Sequence, residues 1–513
     1  MKTSARRSVL VILGTAAALL PWVASSAVDA SPAVGGTLVV AQSADPTSLD
    51  PYRYGSTNDR SIITNMYDTL VQFDLETYDV VGSLAAEWSV SEDGLVWTFT
   101  LQDGVTFHDG SALDSADVVT SVQRAIEPES NRTTTLLTRV AEVAAVDPLT
   151  VEITLTEPDR ILLSTLIDVY IAPEDRSLDL GAAPVGSGPF MFVSATPNQQ
   201  VELERNPDYW RDGLPYLDGV TFRTVPDGTV QSLLVRTGEV DMLAETPLGE
   251  IGTIQAAGLQ LIAPAEGFNS GLYHFHTNTR RDPWSNPLVR QAASHALDRA
   301  AMAQSLFGFM QVQSSPMEVN AEFFNADAPS YNEQDLDAAA ALMEEAGLAD
   351  GVDGGELIVC GLGFQYNTLG QLVQLQLEEI GIDVEVTVLD VGTYVARTLG
   401  DDAGDFDLAL CGMVPKPDEY DLINHPYAKL FTEALGWIDQ EPAFYELLES
   451  ARAMTDDTEY AAAIAELQVT AMTGQPEIVL GGRITPVAAA PGVEGFRTHT
   501  QGHLFLAEVS KQS

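Results

Sequence analysis

Apolar and polar positions alternate at two periods along this chain, and the switches between them outline its elements. Period-two segments predict strands. "GGTLVVAQS" (35–43) predicts an opening strand. Residues 87–106 read as a hairpin, with Val96, Thr98 and Thr100 alternating with Trp97, Phe99 and Leu101. A second strand pair is predicted over 136–156, turning at Asp147-Pro148. Helical spacing predicts an amphipathic helix near 58–71 and one long helix over 286–307. From 332 to 412 the two periods interleave. A helix at 333–346 stops at Gly347, a strand follows at 355–360, and a helix from about 367 to 380 ends at Gly381. Strand "DVEVTVLD", a helix near 391–399 and strand "FDLALCGM" complete the run. Short apolar strands separated by helices imply a parallel sheet covered on both faces, hence an α/β fold.

The N-terminus departs from this patterning. Residues 1–30 have a basic start (Lys2, Arg6, Arg7), an apolar run from Val9 to Leu20 and small residues up to Ala27 and Ala30. This is the pattern of a cleaved signal peptide, and Arg6-Arg7 leaves open Sec or twin-arginine export. No cysteine lies near the cleavage region and no later run of 18 apolar residues exists, so a lipid anchor and a membrane span are not expected. The mature protein is expected in the periplasm or outside the cell.

Composition narrows the function. With 513 residues, two or three subdomains are expected. The formal charge of −49 argues against nucleic-acid and anionic-membrane partners, which require basic patches. The two cysteines, Cys360 and Cys411, lie in strand-like segments and either stay as buried thiols or pair.

Two stretches carry candidate chemistry. "FHDGSALDSADVV" (107–119) contains His108, Asp109, Asp114 and Asp117. Val118, Val119, Val122 and Ile126 fall at helical spacing after Asp114. That places Asp114 at the N-cap and Asp117 at N3, with Asp109-Gly110 in a turn. In "YHFH" (273–276), His274 and His276 would share one strand face, about 7 Å apart, where they either share a ligand or are ordinary polar residues. The sequence contains no HExxH, GxSxG, SxxK or Walker motif. The expectation is therefore a non-enzyme without metal or cofactor. A glycosidase-like hydrolase is the competing class, because paired carboxylates need no local motif.

Several segments, in order, resemble the extracellular solute-binding proteins of peptide/nickel-type ABC importers, family 5. They include "NMYDTLVQFD", "SLAAEWSVSEDGLVWTFTLQDGVTFHDGSALDSADVVTSVQRA", "APVGSGPF", "LERNPDYWRDGLPYLDGVTFRTVPD", "NTRRDPWSNPLVRQAASHALDR" and "QLEEIGIDVEV". The resemblance spans nearly the whole mature chain. It implies a two-lobed type II periplasmic-binding-protein fold with an extra subdomain in the first lobe. The implied layout is 31–75, 184–268 and 480–513 for lobe I, 76–183 for the extra subdomain and 269–479 for lobe II. Gly267, Gly271, Gly481 and Gly482 would absorb hinge rotation. A monomer would capture a small solute, by default a peptide, and deliver it to membrane permease and ATPase subunits. An oligosaccharide, an amine or a nickel complex is the alternative ligand.

The departures from the family lie in two loops. Dipeptide-binding relatives hold the ligand's amine with an aspartate just after the strand matching "DLALCGM"; here Pro415 is nearest to that position and Asp418 is out of register. They hold the carboxylate with an arginine after the strand matching "ELIVC", whereas "GLGFQYNTLG" has no basic residue. The resemblance then leaves Gln365, Tyr366, Asn367, Cys411 and Asp418 as candidate ligand contacts, with Tyr52, Tyr54 and Trp437 as stacking faces.

Overall fold

Two mixed β-sheets, each with its own apolar core, dominate the computed structural model of the chain. It describes residues 32–127, 136–264, 268–399, 403–414, 419–424, 435–499 and 501–512. Residues 33–513 form a single unit.

The first sheet has seven strands. Their order is Gln260–Ile262, Val487–Ala489, Met242–Leu243, Thr37–Gln42, Gly219–Thr224, Gln200–Arg205 and Phe190–Thr196. Thr37–Gln42, the strand expected at 35–43, is central and runs parallel to both neighbours. Leu38, Val40, Val220 and Phe222 are fully buried beneath it.

A four-stranded sheet, ordered Ala85–Val90, Val96–Leu101, Thr150–Leu155 and Val140–Asp147, contains both strand pairs expected from sequence. The helix Ser115–Ile126 joins its core through Val118, Val122 and Ala125, beside Phe99, Val151 and Ile153. That helix starts as its spacing predicts. Asp114 accepts from the Ala116 amide at 2.8 Å, and Asp117 accepts from the Asp114 amide at 2.8 Å. The nearby His108 is tied to the backbone of Gly186 and Gly188. The cluster is a helix start.

The second sheet has six strands: Met310–Gln311, Glu477–Arg483, Leu272–Thr277, Leu408–Met413, Val352–Cys360 and Ile382–Leu389. The last three are parallel, as the alternation over 332–412 implies. Leu272–Thr277 runs antiparallel to both neighbours, so the whole sheet is mixed.

Two helix expectations need correction. The stretch 286–307 is two helices, Pro287–Ala296 and Arg299–Ser305. Leu297 between them is extended and fully buried, and Asp298 restarts the helix by accepting from the Ala301 amide at 2.8 Å. Capping overrides the continuous apolar period there. The helix near 58–71 is only Thr57–Ile63. Downstream, the Met66 carbonyl accepts from the Gly188 amide at 2.9 Å, and Asn65 Nδ2 donates to the Leu504 carbonyl at 2.7 Å. Long-range partners thus replace the helical ones.

The chain passes between the two large sheets twice, between Ile262 and Leu272 and between Arg483 and Val487. The two crossings touch, with the Arg483 amide donating to the Gly271 carbonyl at 2.6 Å. Gly271 adopts φ +118° and lies so close to the Met413 carbonyl that a Cβ would sit 2.0 Å from it, so no other residue fits.

Candidate functional site

A cavity of about 440 Å³ opens where the two sheets face one another. Tyr54, Gly55, Ser56, Thr57, Arg60, Asp168 and Gln501 line it from the side of the first sheet. Cys360, Leu362, Val391, Tyr394, Val395, Cys411 and Met413 line it from the side of the second, with His274 and His276.

The polar wall is built on a buried aspartate. Asp59 is fully buried and accepts from the Thr47 amide at 2.8 Å, the Gly55 amide at 2.8 Å and the Ser56 amide at 3.2 Å. These bonds tie the turn-rich loop 47–56 to the helix Thr57–Ile63 and so fix Tyr54 and Arg60 against the cavity. Arg60 pairs with Asp168, donates to Gln501 Oε1 at 3.1 Å and lies 5.7 Å from the Tyr54 ring centroid. Burial alone would lower the Arg60 pKa, but the Asp168 carboxylate beside it holds the guanidinium above its ordinary value. The cavity therefore presents one cation and one anion side by side.

The other wall is apolar. Leu362, Val391 and Val395 are 51%, 43% and 44% exposed and lie together on this wall. Cys360 and Cys411 form a disulfide with Cα atoms 5.4 Å apart, fastening the parallel strands that carry this wall. His274 and His276 lie on the same face of Leu272–Thr277, 3% and 5% exposed, with ring centroids 4.7 Å apart. Glu477, on the adjacent strand and 1% exposed, brings Oε1 to 3.5 Å from His274 Nδ1 and Oε2 to 3.8 Å from His276 Nδ1. Burial pushes the Glu477 pKa well above the usual carboxylate range.

The residues singled out from sequence scatter. Tyr54 and Cys411 line the cavity. Tyr366 stands behind its wall, 2% exposed, with its ring 5.5 Å from Tyr273. Gln365 and Asn367 flank it near the start of the helix Phe364–Glu378, and neither lines the cavity. Tyr52 is buried elsewhere, donating to the Tyr170 carbonyl at 3.1 Å, and burial pushes its pKa up to about 12. Trp437 is fully buried in a helical core against Phe444. Pro415, Asp418 and Gly267 lie outside the described residues. Gly481 and Gly482 sit within the strand Glu477–Arg483, packed closely against Met310 and Asn269.

Sequence reasoning missed Arg60, Asp168 and Glu477. Arg60 and Asp168 are 108 residues apart, and nothing local marks either as a site residue. Glu477 did leave a trace, as an acidic residue opening the apolar strand "EIVL".

Residues 79–429 match the family described as bacterial extracellular solute-binding proteins, family 5 Middle. The glutathione-binding protein GsiB of Pectobacterium atrosepticum is 30% identical over 77% of this chain and 76% of its own length. Among solved structures, the periplasmic binding protein DppA of Helicobacter pylori in complex with the peptide STSA is 26% identical. It covers 94% of this chain and 99% of its own, with a TM-score of 0.76. NikA of Brucella suis in complex with Fe(III)-EDTA is 21% identical, covers 93% and 100%, and superposes with a TM-score of 0.83.

Proposed function

Since the chain belongs to the bacterial extracellular solute-binding proteins of family 5, we propose that it captures a short peptide or peptide-like solute between two lobes for an ABC importer. Family members are solute-binding proteins rather than enzymes, with a two-lobed type II fold.

One observation carries the ligand class: Arg60 and Asp168 stand together on one cavity wall, opposite exposed aliphatic side chains. A zwitterion with an apolar side chain matches this wall by wall. Its carboxylate exchanges with Asp168 as the partner of Arg60, and its amine takes Asp168. These two residues thus replace the charged anchors missing from the loops after Cys360 and Cys411. The cavity volume of about 440 Å³ falls in the range common for small-ligand sites.

Lobe I comprises 31–75, 184–268 and the C-terminal segment, with the extra subdomain at 76–183 and lobe II between the crossings. Gly271, with φ +118° at one crossing between the two large sheets, is the hinge glycine of this reading. The ligand shifts the open–closed equilibrium by binding the closed state better. The monomer is exported by residues 1–30 and hands its cargo to permease and ATPase subunits.

A thermal-shift screen with glutathione, di- to pentapeptides, sugars and amines tests this reading, because a ligand of the native state raises Tm. At least one peptide-class solute is expected to raise Tm, and Arg60→Met is expected to abolish the shift. A screen in which only sugars raise Tm, or none of the four classes does, overturns it.

A further inference from the structure

We propose that His274, His276 and Glu477 form a transition-metal site in the floor of the solute cleft, where the ion offers open coordination positions to an anionic or nitrogen donor of the cargo. The proposal rests on the cleft being the solute site, and it adds an anchor that the peptide reading does not require.

Glu477 is anomalous among the buried carboxylates. Asp59 accepts three backbone amides, Asp159 is gripped by Arg452, and Asp68 accepts from Ser187, Tyr209 and Trp210. Among the described residues, Glu477 is the one carboxylate with both oxygens buried and no hydrogen-bond donor on either. A buried carboxylate without donors costs several kcal/mol unless it takes up a proton or a cation. The two imidazoles approach it at 3.5 and 3.8 Å, too far for good hydrogen bonds.

The same spacing suits a shared ion. Metal–ligand bonds of about 2.1 Å in tetrahedral geometry place ligand atoms about 3.4 Å apart. Ligand atoms of all three side chains lie within 4.8 Å of one another. Strand pairing creates the set, because His276 stands directly opposite Glu477 and His274 is two residues along the same face. Two imidazoles and one carboxylate favour zinc, nickel or copper over magnesium or calcium, which prefer oxygen ligands. His274 and His276 line the cavity, so the ion has an entry path and a face turned to the solute. A formal charge of −49 also concentrates dications around the protein.

Zn²⁺ and Co²⁺ alone are the probes. Chelator-treated full-length protein is incubated with either ion in excess Mg²⁺, which occupies surface carboxylates, and then desalted. One equivalent of Zn²⁺ is expected to remain, and Co²⁺ is expected to give visible bands of imidazole coordination. Glu477→Gln and His276→Asn should weaken affinity by more than about 100-fold. Retention of no metal by the native protein, or equal retention by both variants, overturns the site. Circular dichroism and cooperative thermal unfolding confirm that each variant is folded, and peptide binding by the native protein in EDTA is measured in parallel. Peptide binding without metal uptake sinks the metal site alone, while metal uptake without peptide binding upholds it and sinks the peptide reading.

Discussion

Replacing Asp159 by asparagine should weaken solute capture without unfolding the protein. Asp159 is 4% exposed and takes Arg452 in a two-pronged ion pair, with Nε to Oδ1 at 2.8 Å and Nη2 to Oδ2 at 2.7 Å. Asp159 follows the four-stranded sheet of the extra subdomain, while Arg452 lies on the helix Pro442–Ala453, in the segment assigned to lobe II. On the proposed lobe layout the pair bridges the extra subdomain and lobe II, where it would latch a closed form. Around it, Arg160 pairs with Asp457 at 2.7 Å and its guanidinium lies 4.1 Å from the Tyr460 ring centroid. Removing one partner of a buried ion pair costs about 3–5 kcal/mol when the other stays buried. On that layout lobe opening would return Arg452 to water, so the cost is expected mainly on closure. At about 1.4 kcal/mol per decade, 3 kcal/mol is roughly a 100-fold weaker Kd. Titration calorimetry with the tightest peptide from the screen reads Kd, and small-angle scattering reads closure. The double variant Asp159→Leu/Arg452→Met should recover most of the affinity, since an apolar pair replaces a buried ionic one at little cost. A Kd within twofold of wild type for Asp159→Asn, or no recovery in the double variant, refutes the latch.

Other consequences are open to measurement. Reducing Cys360–Cys411, or replacing both by serine, should lower unfolding stability by about 4 kcal/mol for a loop of 51 residues, read by denaturant titration with and without reductant. Asp114→Ala should cost about 1 kcal/mol through the lost helix cap and leave peptide affinity unchanged. Burial pushes the Glu318 pKa up to about 7, so the folded state holds its proton more tightly than the unfolded chain does. Its contribution is fully present below the unfolded value of 4.5 and is lost as pH rises through about 7, roughly 3 kcal/mol in all. Glu318→Gln should therefore be more stable than wild type at pH 8 and show a flatter pH profile between pH 5 and 8.

What the sequence reveals follows the range of the interactions involved. Strands with strict alternation, the cap at Asp114 and the helix–strand run from 332 to 412 are local and legible. The break at Leu297 and the short helix ending at Ile63 are illegible because distant partners decide them. Asn65, for example, is claimed by a carbonyl 439 residues away. The site fails for the same reason. Aromatic side chains attract attention as stacking faces, but Trp437 is wholly committed to a core and Tyr52 to a buried carbonyl. The pairing of Cys360 with Cys411 is undecidable from spacing and follows only from two strands being neighbours in parallel register. His274 and His276 are visibly a pair, while Glu477 joins them only through an antiparallel ladder spanning some 200 residues.

The proposed function requires capture without turnover in the cleft between the sheets. Its most direct measurement is calorimetric titration of wild type and Arg60→Met with the tightest peptide from the screen, followed by mass analysis of the recovered peptide. One saturable site per chain is expected in wild type, with strongly weakened binding in Arg60→Met and peptide recovered intact. Equal affinity in the variant would place the site elsewhere, and cleaved peptide would make the protein a hydrolase.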